Sequence, residues 1–224
     1  MLPIRNFALL ALSLLPFAWS AIAAAAEPAA PAHPTAAAVV APAPASASAA
    51  IDELHANLLD VMKNAVALGY SGREQKLKTV IPRYFDVNEM ARKSLGPHWN
   101  TLDDASRQRY LDTFARFTVA NYAGRFDGYS GQSFETLGES PGPRNTMIVK
   151  SRLIDPTDKN IDLNYRMHRV GDGWKVVDVY LDGTVSELAL RRSEFVSIVK
   201  RQNLDALLVA LDAKISKLAA GGES

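Results

Sequence analysis

WKVVDVYLDGTVSELALRRSEF, Trp174–Phe195, decides the fold, because an extended pattern in its first half gives way to a helical one in its second. Residues 174–181 read as a strand, with Trp174, Val176, Asp178 and Tyr180 on one face and Lys175, Val177, Val179 and Leu181 on the other. Both faces carry apolar groups, which predicts a strand covered on both sides. From Ser186 the spacing lengthens to three and four residues, through Leu188, Arg191 or Arg192, Phe195, Ile198 and Val199, and predicts an amphipathic helix. A covered strand that turns through Asp182-Gly183 into such a helix can form one wall of a cavity.

Working back from Trp174, Gly171-Asp172-Gly173 predicts a tight hairpin. It leads from a strand, 161–169, in which Ile161, Leu163, Tyr165 and Met167 alternate with Asp162, Asn164, Arg166 and His168. Two more strands are predicted, at 132–137 and 146–154, with turns at Pro141-Gly142-Pro143 and Asp155-Pro156. Further upstream the grammar is helical. Residues 52–68 carry an apolar stripe that stops at Gly69, and Ser71 and Glu74 are spaced as a capping box for a helix that Pro82 ends. Asp86 is placed to cap a short helix closed by Gly96-Pro97, and Thr101 or Asp103 to cap a long one over 104–126. Downstream, helices are expected at about 185–200 and 204–218. Helices, an antiparallel meander, then helices again make an α+β pattern: a curved four-stranded sheet with helices packed on it, cone-like and of the nuclear-transport-factor type, enclosing an apolar cavity.

The ends of the chain read differently. Arg5, an apolar run from Phe7 to about Trp19 and the A-x-A patterns Ala21-Ile22-Ala23 and Ala24-Ala25-Ala26 predict a cleaved secretory signal over 1–26. A retained anchor is the alternative, but the apolar run is shorter than the roughly 20 residues a span needs. Residues 27–50 are almost wholly Ala, Pro and Ser and predict a disordered linker, with the folded domain over 51–218 and a disordered tail over 219–224. An exported protein of this kind is expected in the periplasm of a Gram-negative bacterium. The chain has 224 residues, no cysteine and a formal net charge of +1. Removing the signal removes one positive charge, and a neutral surface argues against nucleic acid as partner.

Catalytic and cofactor chemistry finds little purchase. His33, His55, His98 and His168 have no ligand spacing and read as linker, surface or rim residues, so no metal is expected. No glycine-rich phosphate loop joins a strand to a helix, and Gly128-Tyr129-Ser130-Gly131 is too short for a nucleophile elbow. Asp178 has two readings: a general base of raised pKa in a cone-fold isomerase or dehydratase, or a hydrogen-bond acceptor that locks the sheet. No second acid or base is fixed beside it, which favours the second. The apolar set Phe85, Met90, Leu95, Phe114, Phe117, Tyr122, Tyr165, Val177, Val179, Val185, Leu188 and Phe195 is either a solid core or the lining of a cavity for an apolar ligand. Arg191 and Arg192, at the strand-to-helix junction, are the candidate polar rim, placed to meet a headgroup or a membrane-bound partner. An exported adaptor without a ligand is a third reading.

Several stretches resemble the MlaC-type, toluene-tolerance family of periplasmic lipid-binding proteins. They are Met90-Ala91-Arg92 through Leu95-Gly96-Pro97-His98-Trp99, the helix 114–126 with Asn121-Tyr122-Ala123, the run 173–179, and Arg192-Ser193-Glu194-Phe195. Residues 123–131 and 178–188 are similar to the hopanoid-associated HpnM branch. The resemblance implies a carrier whose helices and sheet enclose a lipid, a hopanoid or a phospholipid. It further implies exchange with an inner-membrane transporter and with the outer membrane or a complex there, and brings no catalytic motif and no cofactor.

Overall fold

A computed structural model describes residues 46–221. The signal expected over 1–26, most of the linker and the last three residues of the tail lie outside the described residues. Helix α1, Ala47–Lys63, starts earlier than composition suggested, because Ser46 caps it by accepting from the Ala49 N–H at 3.0 Å and because Ala47 and Ala50 are buried. Helix α2, Ala65–Tyr84, follows after Asn64. Gly69 interrupts it as expected, at φ 57° and ψ −176°, a conformation essentially closed to residues with a Cβ, so that two helical segments meet there in a kink. No side chain caps the start of α2, and Pro82 sits in its last turn, where its missing N–H removes one bond from the ladder just before the helix ends.

Asp86 and Asp103 cap the next two helices as expected, α3 over Val87–Leu95 and α4 over Asp104–Arg125. Gly96-Pro97 does not close the chain off but opens a 3-10 turn, Gly96–Thr101. The sheet is antiparallel and runs in chain order: β1 Ser133–Gly142, β2 Thr146–Ile154, β3 Ile161–Val170, β4 Gly173–Leu181 and β5 Val185–Ser186. It has five strands rather than four. Asp182 and Gly183, both at positive φ, turn the chain tightly enough for Val185 and Ser186 to pair back onto Leu181 and Tyr180 before α5, Glu187–Arg201, begins. Pro141 and Gly142, expected in a turn, still pair with Met147 and Thr146 on the edge of the sheet. The reversal falls at Pro143–Asn145, with Arg144 and Asn145 at positive φ. Helix α6, Leu204–Ala219, takes in the first residue of the expected tail and packs on α4.

The alternation of β3 holds, with Leu163, Tyr165 and Met167 buried. The alternation of β4 does not hold along its length. Tyr165 pairs with Val179 and Arg166 with Asp178, but Met167 pairs with Val176, so a bulge at Val177 shifts the register and exchanges the faces. Val176 and Val179 therefore share the face of Tyr165, and Asp178 stands with Arg166 on the opposite one. The cause lies far away in sequence: the Asp86 N–H donates to the Val176 carbonyl at 2.9 Å, tying the α2–α3 junction to the bulge. The same bulge aims Val177 and Asp178 where the site needs them.

Candidate functional site

Of the twelve apolar candidates, eleven are buried, at 8% exposure or less, and Val185 is not, at 38% on the short strand β5. Val185 is therefore no part of an inner wall. Pairing with Leu181 at the sheet edge, instead of joining the helix, turned it outward. The other eleven are buried, and their rings fall into two groups.

The first group lies on the sheet. Phe85 meets Tyr122 edge-on at 5.3 Å between centroids, Tyr122 stacks on Phe126 at 5.6 Å, and Phe126 lies 6.4 Å from Phe134. His55, on α1, stacks flat on Phe134 at 4.1 Å and shares a 3.2 Å hydrogen bond with the Tyr165 hydroxyl. His55 was expected at the surface. It is 4% exposed, and burial alone lowers its pKa to about 3, so the ring is neutral. Burial also pushes the Tyr165 phenol well above its ordinary value. The two polar groups are bonded to each other, and neither carries a charge.

The second group lies between α4 and α5. Phe195 meets Phe114 at 6.4 Å and Phe117 at 6.2 Å, both edge-on, and Tyr110 sits behind Phe114 at 5.9 Å with its hydroxyl bonded to Ser94. Charges enter here. Glu187 is buried, yet its carboxylate accepts from Arg125 Nη1 at 2.6 Å and lies 3.6 Å from Arg191 Nη2. Burial pulls the Glu187 carboxyl upward, but the charges of Arg125 and then Arg191 outweigh it and hold the group below the usual carboxylate range. Arg191 lays its guanidinium over the Phe117 ring at 5.2 Å.

The Arg191 side chain is thus mostly covered, at 12% exposure. Arg192 is exposed and folds over Gly96, whose φ of 55° and missing Cβ make room for it: a Cβ there would lie 2.9 Å from the guanidinium. Met90 and Leu95 on α3, Val177 and Val179 on β4 and Leu188 on α5 complete the buried set.

Asp178 is fully engaged. It accepts from the Ser186 hydroxyl at 2.7 Å and the Leu188 N–H at 3.1 Å, and Arg166 Nη2 lies 3.5 Å away. Ser186 in turn accepts from the Ala189 N–H at 2.9 Å, so the two side chains together cap α5. With both oxygens bonded at a helix start, Asp178 fits the locking role.

Sequence reasoning missed Glu187 and Arg125. The four-residue spacing of Glu187 and Arg191 is a legible ion-pair signal. Arg125 carries no such signal, because its partner is 62 residues away. An open groove between α4 and α6, lined by Arg109, Asp112, Thr113, Asp205, Leu208, Val209 and Asp212, is bridged by the pairs Arg109–Asp205 and Arg116–Asp212. Its charged lining makes it a poor host for an apolar ligand. Among the described residues no helix is long and apolar enough to cross a membrane, and no group of three or more His, Asp or Glu side chains is placed to hold a metal ion.

Comparison with known proteins follows the same line. The family model described as MlaC protein matches residues 52–213. None of the curated proteins matches the chain in sequence. Among solved structures, the chain is similar to a phospholipid-binding protein from Ralstonia solanacearum in complex with a phospholipid. The identity is 21% and the TM-score 0.66, over 78% of this chain and 99% of that one. At that identity the likeness is one of fold, an antiparallel, unclosed sheet with helices packed on it.

Proposed function

The chain belongs to the MlaC protein family, and from that premise we propose that it is a lipid carrier which takes its ligand between α4 and α5. The observation that carries this reading is the second aromatic group, where Phe114, Phe117 and Phe195 meet only through ring edges and draw their contacts from two helices. Parting those helices exposes apolar surface that an acyl chain or a polycyclic hydrocarbon covers again. Each buried methylene contributes about 0.8 kcal/mol, so a chain of about fifteen returns on the order of 12 kcal/mol against the cost of parting the rings. The ligand bound by the Ralstonia protein supports a phospholipid. The similarity of residues 123–131 and 178–188 to the HpnM branch supports a hopanoid.

In the same reading the signal over 1–26 delivers the protein to the periplasm, where it exchanges lipid with an inner-membrane transporter and with the outer membrane or a complex there. The role is non-catalytic, in keeping with an Asp178 committed to the cap of α5. Protein purified from its own host and measured by native mass spectrometry should carry a bound lipid, with extraction of the same sample identifying it. Protein that arrives consistently empty would overturn the reading.

A further inference from the structure

The first turn of α2 shows no polar side chain at its surface. Asn64 ends α1, and the run Ala65-Val66-Ala67-Leu68-Gly69-Tyr70 follows. Ala65 is buried, Leu68 and Tyr70 are half-buried, and Val66 and Ala67 stand open. Val66 is 97% exposed, the most of any large apolar residue among the described residues. Tyr129, on the loop between α4 and β1, is 42% exposed and joins the same corner through Lys63, whose ammonium lies 5.5 Å over its ring. Beyond Gly69 the pattern reverses: the exposed side chains of α2, from Ser71 through Lys78 to Arg83, are polar apart from Pro82.

The fold itself gains nothing from this turn being apolar. Valine is among the weaker helix formers, and no side chain caps this helix start, so a polar or acidic residue in place of Val66 would hold the turn better. Yet the turn is firmly placed. Arg73 reaches back across the kink, donating to the Ala65 carbonyl at 3.2 Å and to the Ala123 carbonyl at 2.9 Å, and so holds the corner against the last turn of α4. The charges around it are mostly spent: Asp60 pairs with Lys76 at 2.6 Å, and the charge of Asp127 bears on Arg73. Lys63 touches no acid among the described residues. An exposed apolar turn beside an unpaired ammonium and a tyrosine suits the boundary of a bilayer, where apolar groups dip below the headgroups, aromatic rings lie among them and cations meet phosphate. A protein groove would have to supply an acid at one point for Lys63, whereas an anionic bilayer presents phosphate all over its surface.

Resting on the carrier reading, we infer that this corner is where the protein touches a lipid bilayer: Val66 dips into it, Tyr129 lies at headgroup level and Lys63 meets lipid phosphate. Arg73 ties the contact to the end of α4, and the Arg125–Glu187 bond at 2.6 Å ties the end of α4 to the start of α5. The gap proposed to take the ligand is thereby turned towards the membrane that supplies it.

The chain has no cysteine, so Val66→Cys and Val209→Cys, both at exposed positions, each carry one nitrobenzoxadiazole label. Vesicles of phosphatidylethanolamine and phosphatidylglycerol in equal amounts, with a nitroxide on the acyl chains, should quench the label at position 66 and leave the label at position 209 unquenched. In vesicle flotation, Val66→Asp should need about tenfold more lipid for half-binding, the worth of one buried valine. Lys63→Gln should need about fivefold more on these vesicles and no more than the wild type on phosphatidylcholine alone. Equal quenching at both positions overturns the inference, as does a Val66→Asp or Lys63→Gln protein that binds as the wild type does. Absence of quenching at position 66 overturns it too and leaves the corner to a protein partner. Wild-type protein stripped of lipid is also offered soluble dioctanoyl phosphatidylcholine, with uptake read by native mass spectrometry. Failure to take it up overturns the carrier reading, whereas failed quenching with normal uptake overturns the bilayer contact alone.

Discussion

The two aromatic groups are built from the same residue types and treat their polar atoms in opposite ways. On the sheet, His55 and Tyr165 share a hydrogen bond and Phe134 covers the imidazole, so the group holds no charge. Between α4 and α5, the rings of Phe114, Phe117 and Phe195 sit beside three charges, and one guanidinium nitrogen is left without an acceptor among the described residues. An uncharged interior has little to gain from a polar ligand. An interior that holds a buried guanidinium nitrogen without an acceptor among the described residues stands to gain from a ligand that supplies one. In the proposed carrier, the first group is scaffold and the second is the part that receives.

Mutation should separate the two. The largest effect is expected in the scaffold: Phe85→Ala removes a ring that is 1% exposed and bears on Tyr122, and should lower the unfolding free energy in denaturant titration by about 4 kcal/mol. The molecules that stay folded should still take up lipid. Glu187→Gln comes next. It removes the carboxylate charge that faces Arg125 and Arg191 and should cost about 3 kcal/mol, and unlike Phe85→Ala it should also change which lipids are retained. A loss confined to stability would mean that the charged group is scaffold as well.

Acid gives a subtler contrast. His55 has a folded pKa of about 3, below the ordinary value of 6.5, so the unfolded chain takes up the proton first. The stability held by the neutral ring is fully present above pH 6.5 and is lost as the pH falls towards 3, at about 1.4 kcal/mol per pH unit. Between pH 6.5 and 4.5 this amounts to roughly 2 to 3 kcal/mol. Unfolding curves should show the slope in the wild type and not in His55→Gln. Smallest is Asp178→Asn, which weakens the cap of α5 and should cost about 1 kcal/mol with lipid retention unchanged. Lost retention with an intact fold would return Asp178 to the working part of the molecule.

What the sequence discloses depends on how local the cause is. Asp86 and Asp103 announce their helices because a cap is settled within four residues, and β3 is legible because Ile161, Leu163, Tyr165 and Met167 alternate without a break. The start of α1 is hidden in a run of Ala and Ser that offers no contrast between faces, although Ala47 and Ala50 are buried. The bulge at Val177 is hidden for another reason. Three valines around Asp178 suit either register, and the choice is made by the distant Asp86 N–H. Of the site, the rings are legible as an apolar set. The charge that gives them a polarity is not, because Arg125 and Glu187 meet only once α4 and α5 are in place.

The claim that lipid enters between α4 and α5 is open to a direct measurement. A phospholipid carrying a diazirine near the end of one acyl chain is loaded into the protein and photolysed, and the adducts are mapped residue by residue. Labels on Phe114, Phe117 and Phe195 are the predicted result. Labels confined to Leu208 and Val209 in the α4–α6 groove, or to Phe85 and Tyr165 on the sheet, would contradict it.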